Sequence, residues 1–282
     1  MQPRRTDSTA KPSVKIWRPD GHAYELLSAS DVTTSMPRQI FQEYLIGVIE
    51  EGRATFTYKG ENTHIGGGSL LLIQPGEPFS GQGSIDHPRR FRMLHAKPQF
   101  VQRLLSEITE KEAPLPAFNN PVELDLKLVA AFSTIHRALE QPHTQLERDS
   151  WLLELMQLLH QHCISGAAVQ SPFGKESDRI RQVRSFLLDR FADNISLEEL
   201  ASLVNLSPYR LNRVFSQEVG VPPHAFVNQV RVWQAKEQLA KGVPPAQVAV
   251  EVGFYDQAHM HRHFKRLLGY TPGTIQSDKN VQ

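Results

Sequence analysis

The chain is expected to fold as two domains of mixed α+β class: a β-rich N-terminal barrel or sandwich with a helical extension, then an all-α domain with two helix-turn-helix units. Three observations predict this. Apolar residues alternate and turns recur from Val14 to about Leu94, as in half-buried strands. From Gln99 to Cys163 the apolar spacing changes to that of helices, where residues three and four apart share a face. Beyond Asp178 the sequence reads as helical throughout and repeats itself.

The 282 residues suffice for two domains at roughly 100–200 residues each. The first thirteen, MQPRRTDSTAKPS, are polar and include Pro3 and Pro12; they read as a loose tail without the apolar core of a signal peptide. No apolar run approaches the roughly 18 residues of a membrane span, so a cytoplasmic protein without membrane contact is expected. Cys163 is the single cysteine, which excludes an internal disulfide and any zinc site built from several thiolates.

Residues 14–98 form the β domain. YLIGVIEEGRATFTYKG holds two strands around Glu51-Gly52, and SLLLIQPGEPFSGQ is a buried strand stopped by Pro75-Gly76. Residues 99–164 carry three helical stripes: Phe100, Leu104, Leu105 and Ile108; Leu124, Leu128, Phe132 and Ile135; Trp151, Leu155, Leu158, Leu159 and His162. They pack on the β domain or, for one stripe, on a second copy of the chain. Small and polar residues across 165–177, SGAAVQSPFGKES, read as a linker.

Residues 178–278 form the helical domain, with units at about 196–218 and 245–268. Ser196-Leu-Glu-Glu199 starts one helix as a capping box, Ser207-Pro208 starts the next, and Gly220 with Pro222-Pro223 ends it. A longer helix runs from about His224 to Lys241. The spacing Phe215, Gly220, Pro223 then recurs as Phe264, Gly269, Pro272, displaced by 49 positions. Ala201 and Val204 recur as Ala249 and Val252, with one extra residue in the second turn at Gly253-Phe254. Two short helices and a tight turn, present twice, make two helix-turn-helix units.

In the first unit Leu211, Val214, Phe215 and Val219 face inward, leaving Tyr209, Asn212 and Arg213 on the opposite face with Arg210 beside them. In the second, Met260, Phe264 and Leu268 point inward, Gln257, Ala258, His261 and Arg262 face out, and His259 lies at the edge. Arg pairs with guanine and Asn with adenine along the major groove, which admits a helix. Charge adds little: 13 Lys and Arg against 10 Asp and Glu from Asp178 onward, and 18 against 20 before it.

No nucleophile elbow, phosphate loop, dinucleotide glycine motif or paired catalytic carboxylates are present, so an enzyme is not expected. His64 has no second ligand at metal spacing; His160, His162 and Cys163 diverge around a helix; His259 and His263 share a face within the recognition helix. No metal and no cofactor are expected.

Residues 178–278 resemble the DNA-binding domain of the AraC family, on SPYRLNRVFSQEVG, RVWQAKEQL and VAVEVGFYDQAHMHRHFKRLLGYTPGTI. The resemblance implies a transcription regulator, an activator by preference, whose two recognition helices enter successive major-groove segments about 34 Å apart on bent duplex DNA. It carries base reading onto Tyr209, Asn212, Arg213, Gln257, His259 and Arg262. The segment GVIEEGRATFTYKGENTHIGGGSLLLIQPGEPFSGQ is similar to the cupin-like barrel that senses effectors in arabinose-type regulators. Where catalytic cupins place metal-binding histidines, this chain has Phe41 and Phe79, so the resemblance implies a mostly apolar effector pocket, read here as Phe41, Tyr44, Phe56, His64 and Phe79. The implied partners are double-stranded DNA, a small-molecule effector, a second copy of the chain as homodimer, and RNA polymerase. The alternatives are a cupin-type enzyme with a DNA-binding tail and a constitutive architectural DNA binder; the alkylation sensors that share this DNA-binding domain need a cysteine cluster.

Overall fold

A computed structural model describes residues 12–19, 23–168 and 176–277; the tail reading for residues 1–11 lies outside them. The N-terminal domain opens with nine strands, β1 (Ser13–Trp17), β2 (Tyr24–Val32), β3 (Met36–Ile40), β4 (Tyr44–Glu51), β5 (Arg53–Tyr58), β6 (Glu61–Gly66), β7 (Ser69–Ile73), β8 (Pro78–Gln82) and β9 (Arg89–Ala96). Helix α1 (Pro98–Thr109) follows, then β10 (Pro116–Phe118), β11 (Val122–Glu123), α2 (Leu126–Leu139), α3 (Gln145–His162) and β12 (Ile164–Ala168). The strands form a six-stranded sheet ordered β1-β2-β9-β4-β7-β11, a four-stranded sheet ordered β3-β8-β5-β6, and the small pair β10-β12.

Strand parity builds the layers. In β4, Leu45 and Ile49 point between the two large sheets, where they meet Phe56, Tyr58, Ile65 and Phe79 of the four-stranded sheet. Their neighbours Tyr44, Ile46 and Val48 point to the other face and pack against Phe100, Leu104, Phe132, Ile135, Leu155 and Leu159 of the three helices. A strand covered on both sides reads as a continuous apolar run, as YLIGVIEE does. Each large side chain so buried stabilises the fold by about 1.5–3 kcal/mol.

Two boundaries differ from the sequence reading. Ser165–Ala168 continue β12, whose Ser165 pairs with Ala117, so the linker begins after Ala168; the small side chains of SGAA resemble a loop in composition, while their backbone completes a ladder. Residues 169–175 lie outside the described residues. Leu124 precedes α2 and is 70% exposed, and His162 is exposed at the end of α3, so neither belongs to its apolar stripe.

The C-terminal domain consists of α4 (Asp178–Asp189), α5 (Leu197–Leu203), α6 (Pro208–Val219), α7 (Pro223–Ala240), α8 (Pro245–Glu251), α9 (Gln257–Leu268) and α10 (Pro272–Ser277). The caps fall where the sequence places them. Ser196 accepts from the Glu199 amide, Ser207 accepts from the Arg210 amide, and Gly220 and Gly269 close α6 and α9 at φ 94 and 81°. Asp256 caps α9 through the His259 amide. The two turns take a left-handed residue at equivalent points, Asn205 in the first and Gly253 in the second. Glycine is required at the latter, where a Cβ would stand 2.4 Å from the Ala192 carbonyl oxygen. Helix α7 serves both units: Phe226 and Val230 enter the core of the first, Val232, Ala235 and Leu239 that of the second.

Candidate nucleic-acid interface and effector cavity

The two recognition helices are α6 and α9. On α6, Leu211, Phe215 and Val219 are buried, which turns Tyr209, Arg210 and Arg213 to solvent, Tyr209 being 77% exposed. Asn212 is half-buried on the same face. The one acid of α6, Glu218, accepts hydrogen bonds from the Ser177 amide and hydroxyl at the start of α4. On α9, Met260, Phe264 and Leu267 are buried, with Leu268 only partly so. Gln257, Ala258, His261 and Arg262 are exposed, and the helix contains no acid.

His259 differs from these. It is half-buried, with its ring edge-on to Phe254 at 5.4 Å and to His263 at 4.8 Å. Burial, with Arg266, His259, Arg262 and Arg231 nearby, holds the His263 imidazole down at about 4. Its proton affinity is lower folded than unfolded, so the contribution to stability is complete above the ordinary 6.5 and declines as pH falls toward about 4. An imidazole NMR titration is expected to place His263 near that value, and His263→Phe should flatten the acid limb of the stability profile between those limits.

Behind α9 lies a cavity of about 830 Å³ shared by the two domains. The space between the two sheets supplies apolar walls, including Leu45, Ile49, Phe56, Phe79, Phe91 and Met93, and Phe41 stands 5.2 Å from Phe79. The exposed charges on its lining are cationic, Arg38 from the β domain and Arg262, Lys265 and Arg266 from α9, with Arg89 buried nearby; among the described residues no Asp or Glu lines it. Arg89 is already occupied, donating to the Val32 and Thr34 carbonyls. Phe41, Phe56 and Phe79, expected in the effector pocket, line this cavity.

Tyr44 and His64 do not. Tyr44 points to the opposite face of its sheet and donates to the Pro116 carbonyl, and His64 is exposed on β6, its Nδ1 2.9 Å from the Thr55 hydroxyl oxygen. Alternation is the physical reason: Leu45 and Ile65 point into the cavity side, so their chain neighbours point away. Arg38, Lys265 and Arg266 were missed, since no local pattern brings β3 to α9.

The domains are joined by buried polar contacts. Lys236 of α7 reaches Glu25 of β2 at 2.7 Å, and Arg18 reaches the second Glu25 oxygen at 2.6 Å. Burial raises the Glu25 carboxyl, but Lys236 and Arg18 outweigh it and hold the group below its ordinary range. Burial likewise pushes Lys236 down and Glu25 reverses this, leaving the amine above its ordinary value. His95, which lines the cavity, lies 3.6 Å from Glu43. Burial raises Glu43 as well, while His95 and Lys236 bring it down to about 2.

Residues 22–156 match the model of the AraC-like ligand binding domain, and residues 200–278 that of a helix-turn-helix domain. An uncharacterized HTH-type transcriptional regulator of Bacillus subtilis, YbfI, is 30% identical over 229 residues, 81% of this chain and 82% of the relative. The chain belongs to the AraC family. This AraC-family protein is therefore a DNA-binding transcription regulator with an effector-binding N-terminal domain. It is also 24% identical to the transcriptional activator RhaS of Klebsiella pneumoniae, covering 90% of this chain and 94% of RhaS. Its two-domain fold is that of ToxT from Vibrio cholerae. The apo form gives a TM-score of 0.59 at 15% identity over 92% of this chain and 99% of ToxT. The form bound to an unsaturated fatty acid gives 0.58 at 14%, over 91% and 95%. No described helix is long and apolar enough to cross a membrane.

Proposed function

We propose that this AraC-family regulator reads two blocks of DNA and is controlled by an anion with an apolar body. Tyr209, Arg210, Asn212 and Arg213 read the first block; Gln257, Ala258, His261 and Arg262 read the second, with His259 supporting them. The observation that carries the effector class is the composition of the cavity, apolar in its depth and cationic, without an acid, at its mouth. An apolar tail gains from leaving water, and a carboxylate at the mouth gains charge-assisted bonds. ToxT, which shares the fold, has been crystallised with an unsaturated fatty acid. The activator RhaS supports activation as the sign of control; a homodimer and contact with RNA polymerase belong to the same reading.

Binding of oleate below its micellar range, compared with oleyl alcohol and with arabinose, tests the effector class. Calorimetry is expected to show oleate binding most tightly and arabinose not at all. Replacing Arg38 and Lys265 together by Ala should weaken oleate about 10- to 100-fold, the range of a lost charge-assisted bond, and leave the alcohol unchanged. Tight arabinose binding without oleate binding would remove the proposal. Selection of DNA from a random pool by the full-length protein at fixed salt should recover two short blocks about one helical turn apart.

A further inference from the structure

Within their own domain the two helix-turn-helix units meet along α7 and where the Gly253 turn stands against Ala192. A further tie comes from the other domain, through β3. This strand is an edge of its sheet, and its pairing with β8 slips between Met36 and Gln39, a bulge of the kind that re-aims side chains. Edge strands carry unpaired backbone groups, and the DNA-binding domain meets β3 through one of these and through one side chain. The Ile40 amide donates to the Gln229 side chain of α7 at 3.1 Å. The Gln39 amide group donates to the Leu267 carbonyl at 3.0 Å, one of the last carbonyls of α9, which have no partner within a helix. Both glutamines are buried, at 0% and 1% exposure.

The first unit is held at the same place. Ile40 is buried in its core, and the C-cap of α6, Gly220, lies so close to the β domain that a Cβ there would stand 2.7 Å from Pro78 and 3.4 Å from Arg38. The C-terminal ends of both recognition helices therefore rest against the β domain at β3 and β8, while Tyr209 and Gln257 near their N-termini are exposed. Arg38 and Met36 of the same strand line the effector cavity.

We infer that Gln39 and Gln229 are positioning residues that make β3 a clamp across both recognition helices, fixing the spacing of the two DNA blocks this protein accepts. The inference rests on α6 and α9 both reading DNA. Neither glutamine touches DNA in this role; each acts through the helix it holds.

The test uses the full-length protein and duplexes carrying the two selected blocks at their native spacing and at spacings one base pair shorter or longer. One base pair moves the second block by about 3.4 Å and turns it by roughly 35°. The native protein is expected to bind the native spacing at least about tenfold more tightly than either shifted one, since a misplaced helix forfeits its paired contacts. Gln39→Met with Gln229→Met, which keeps the side-chain length and removes both amides, should reduce that preference to about threefold or less, with affinity for a duplex carrying one block and a scrambled second unchanged. Should the double variant fail to fold, Gly220→Ala against Gly269→Ala gives the same readout. Both substitutions strain a left-handed residue, but only the first meets the β domain, a Cβ at Gly269 having nothing within 4 Å. A spacing preference retained in these variants removes the clamp and leaves two-helix reading intact. No preference in the native protein removes both.

Discussion

Lys236→Met is expected to lower the free energy of unfolding by about 3–5 kcal/mol, the cost of removing one partner of a buried ion pair. Lys236 and Glu25 are 7% and 5% exposed, and without the amine the Glu25 carboxylate keeps Arg18 as its ion-pair partner. The loss should be visible as a fall in urea midpoint. Glu25→Gln added to Lys236→Met should recover a good part of it, because an amide is cheaper to bury than an uncompensated carboxylate. Both pKa shifts set the pH range of the native pair. A lowered carboxyl stabilises above its ordinary 4.5 and loses this as pH falls; a raised amine stabilises below its ordinary 10.5 and loses this as pH rises. The difference in stability between the native protein and Lys236→Met should be flat between those limits and shrink outside them. A loss under 1 kcal/mol would mean that the domains do not meet here in solution.

Arg213→Ala and Arg262→Ala should each cost about 1–3 kcal/mol of discrimination at one base pair, the worth of a bidentate contact. Each should do so in a different block of the site. The two positions differ in surroundings, which separates their secondary effects. Arg213 is exposed on α6 away from the cavity, so its loss should leave oleate binding unchanged. Arg262 lines the cavity mouth with Lys265 and Arg266, so its loss should weaken oleate as well as relax the second block. Competition between oleate and DNA for the native protein should fall in Arg262→Ala and persist in Arg213→Ala. Equal weakening on all sequences would mark the arginine as a phosphate contact.

Local rules made much of the C-terminal domain legible. Capping serines, closing glycines and the inward faces Leu211–Phe215 and Met260–Phe264 are matters of a few adjacent residues, and the repeat offers each twice. The β domain was legible as strands, and parity decides which of the expected pocket residues face the cavity. Phe41, Phe56 and Phe79 line the cavity, whereas Tyr44 and His64 sit one residue from an inward-facing Leu45 and Ile65. Reading Leu45 and Ile65 as core would have turned their neighbours outward. What joins the domains was not legible. Gln39 and Leu267 are 228 residues apart, and Lys236 and Glu25 are 211 apart. A glutamine or a lysine in a helix reads as surface until tertiary packing buries it.

The position of β3 at the rim of its sheet bears on how the protein tolerates being cut. In the intact chain the DNA-binding domain shields this rim. A fragment ending near Ala168 would bare it, and a bare strand margin recruits a like strand from another molecule. The isolated effector domain should then self-associate through β3 and come out of solution more readily than the whole protein, and Ile40→Lys, at a side chain that would no longer have a core to enter, should restore its solubility.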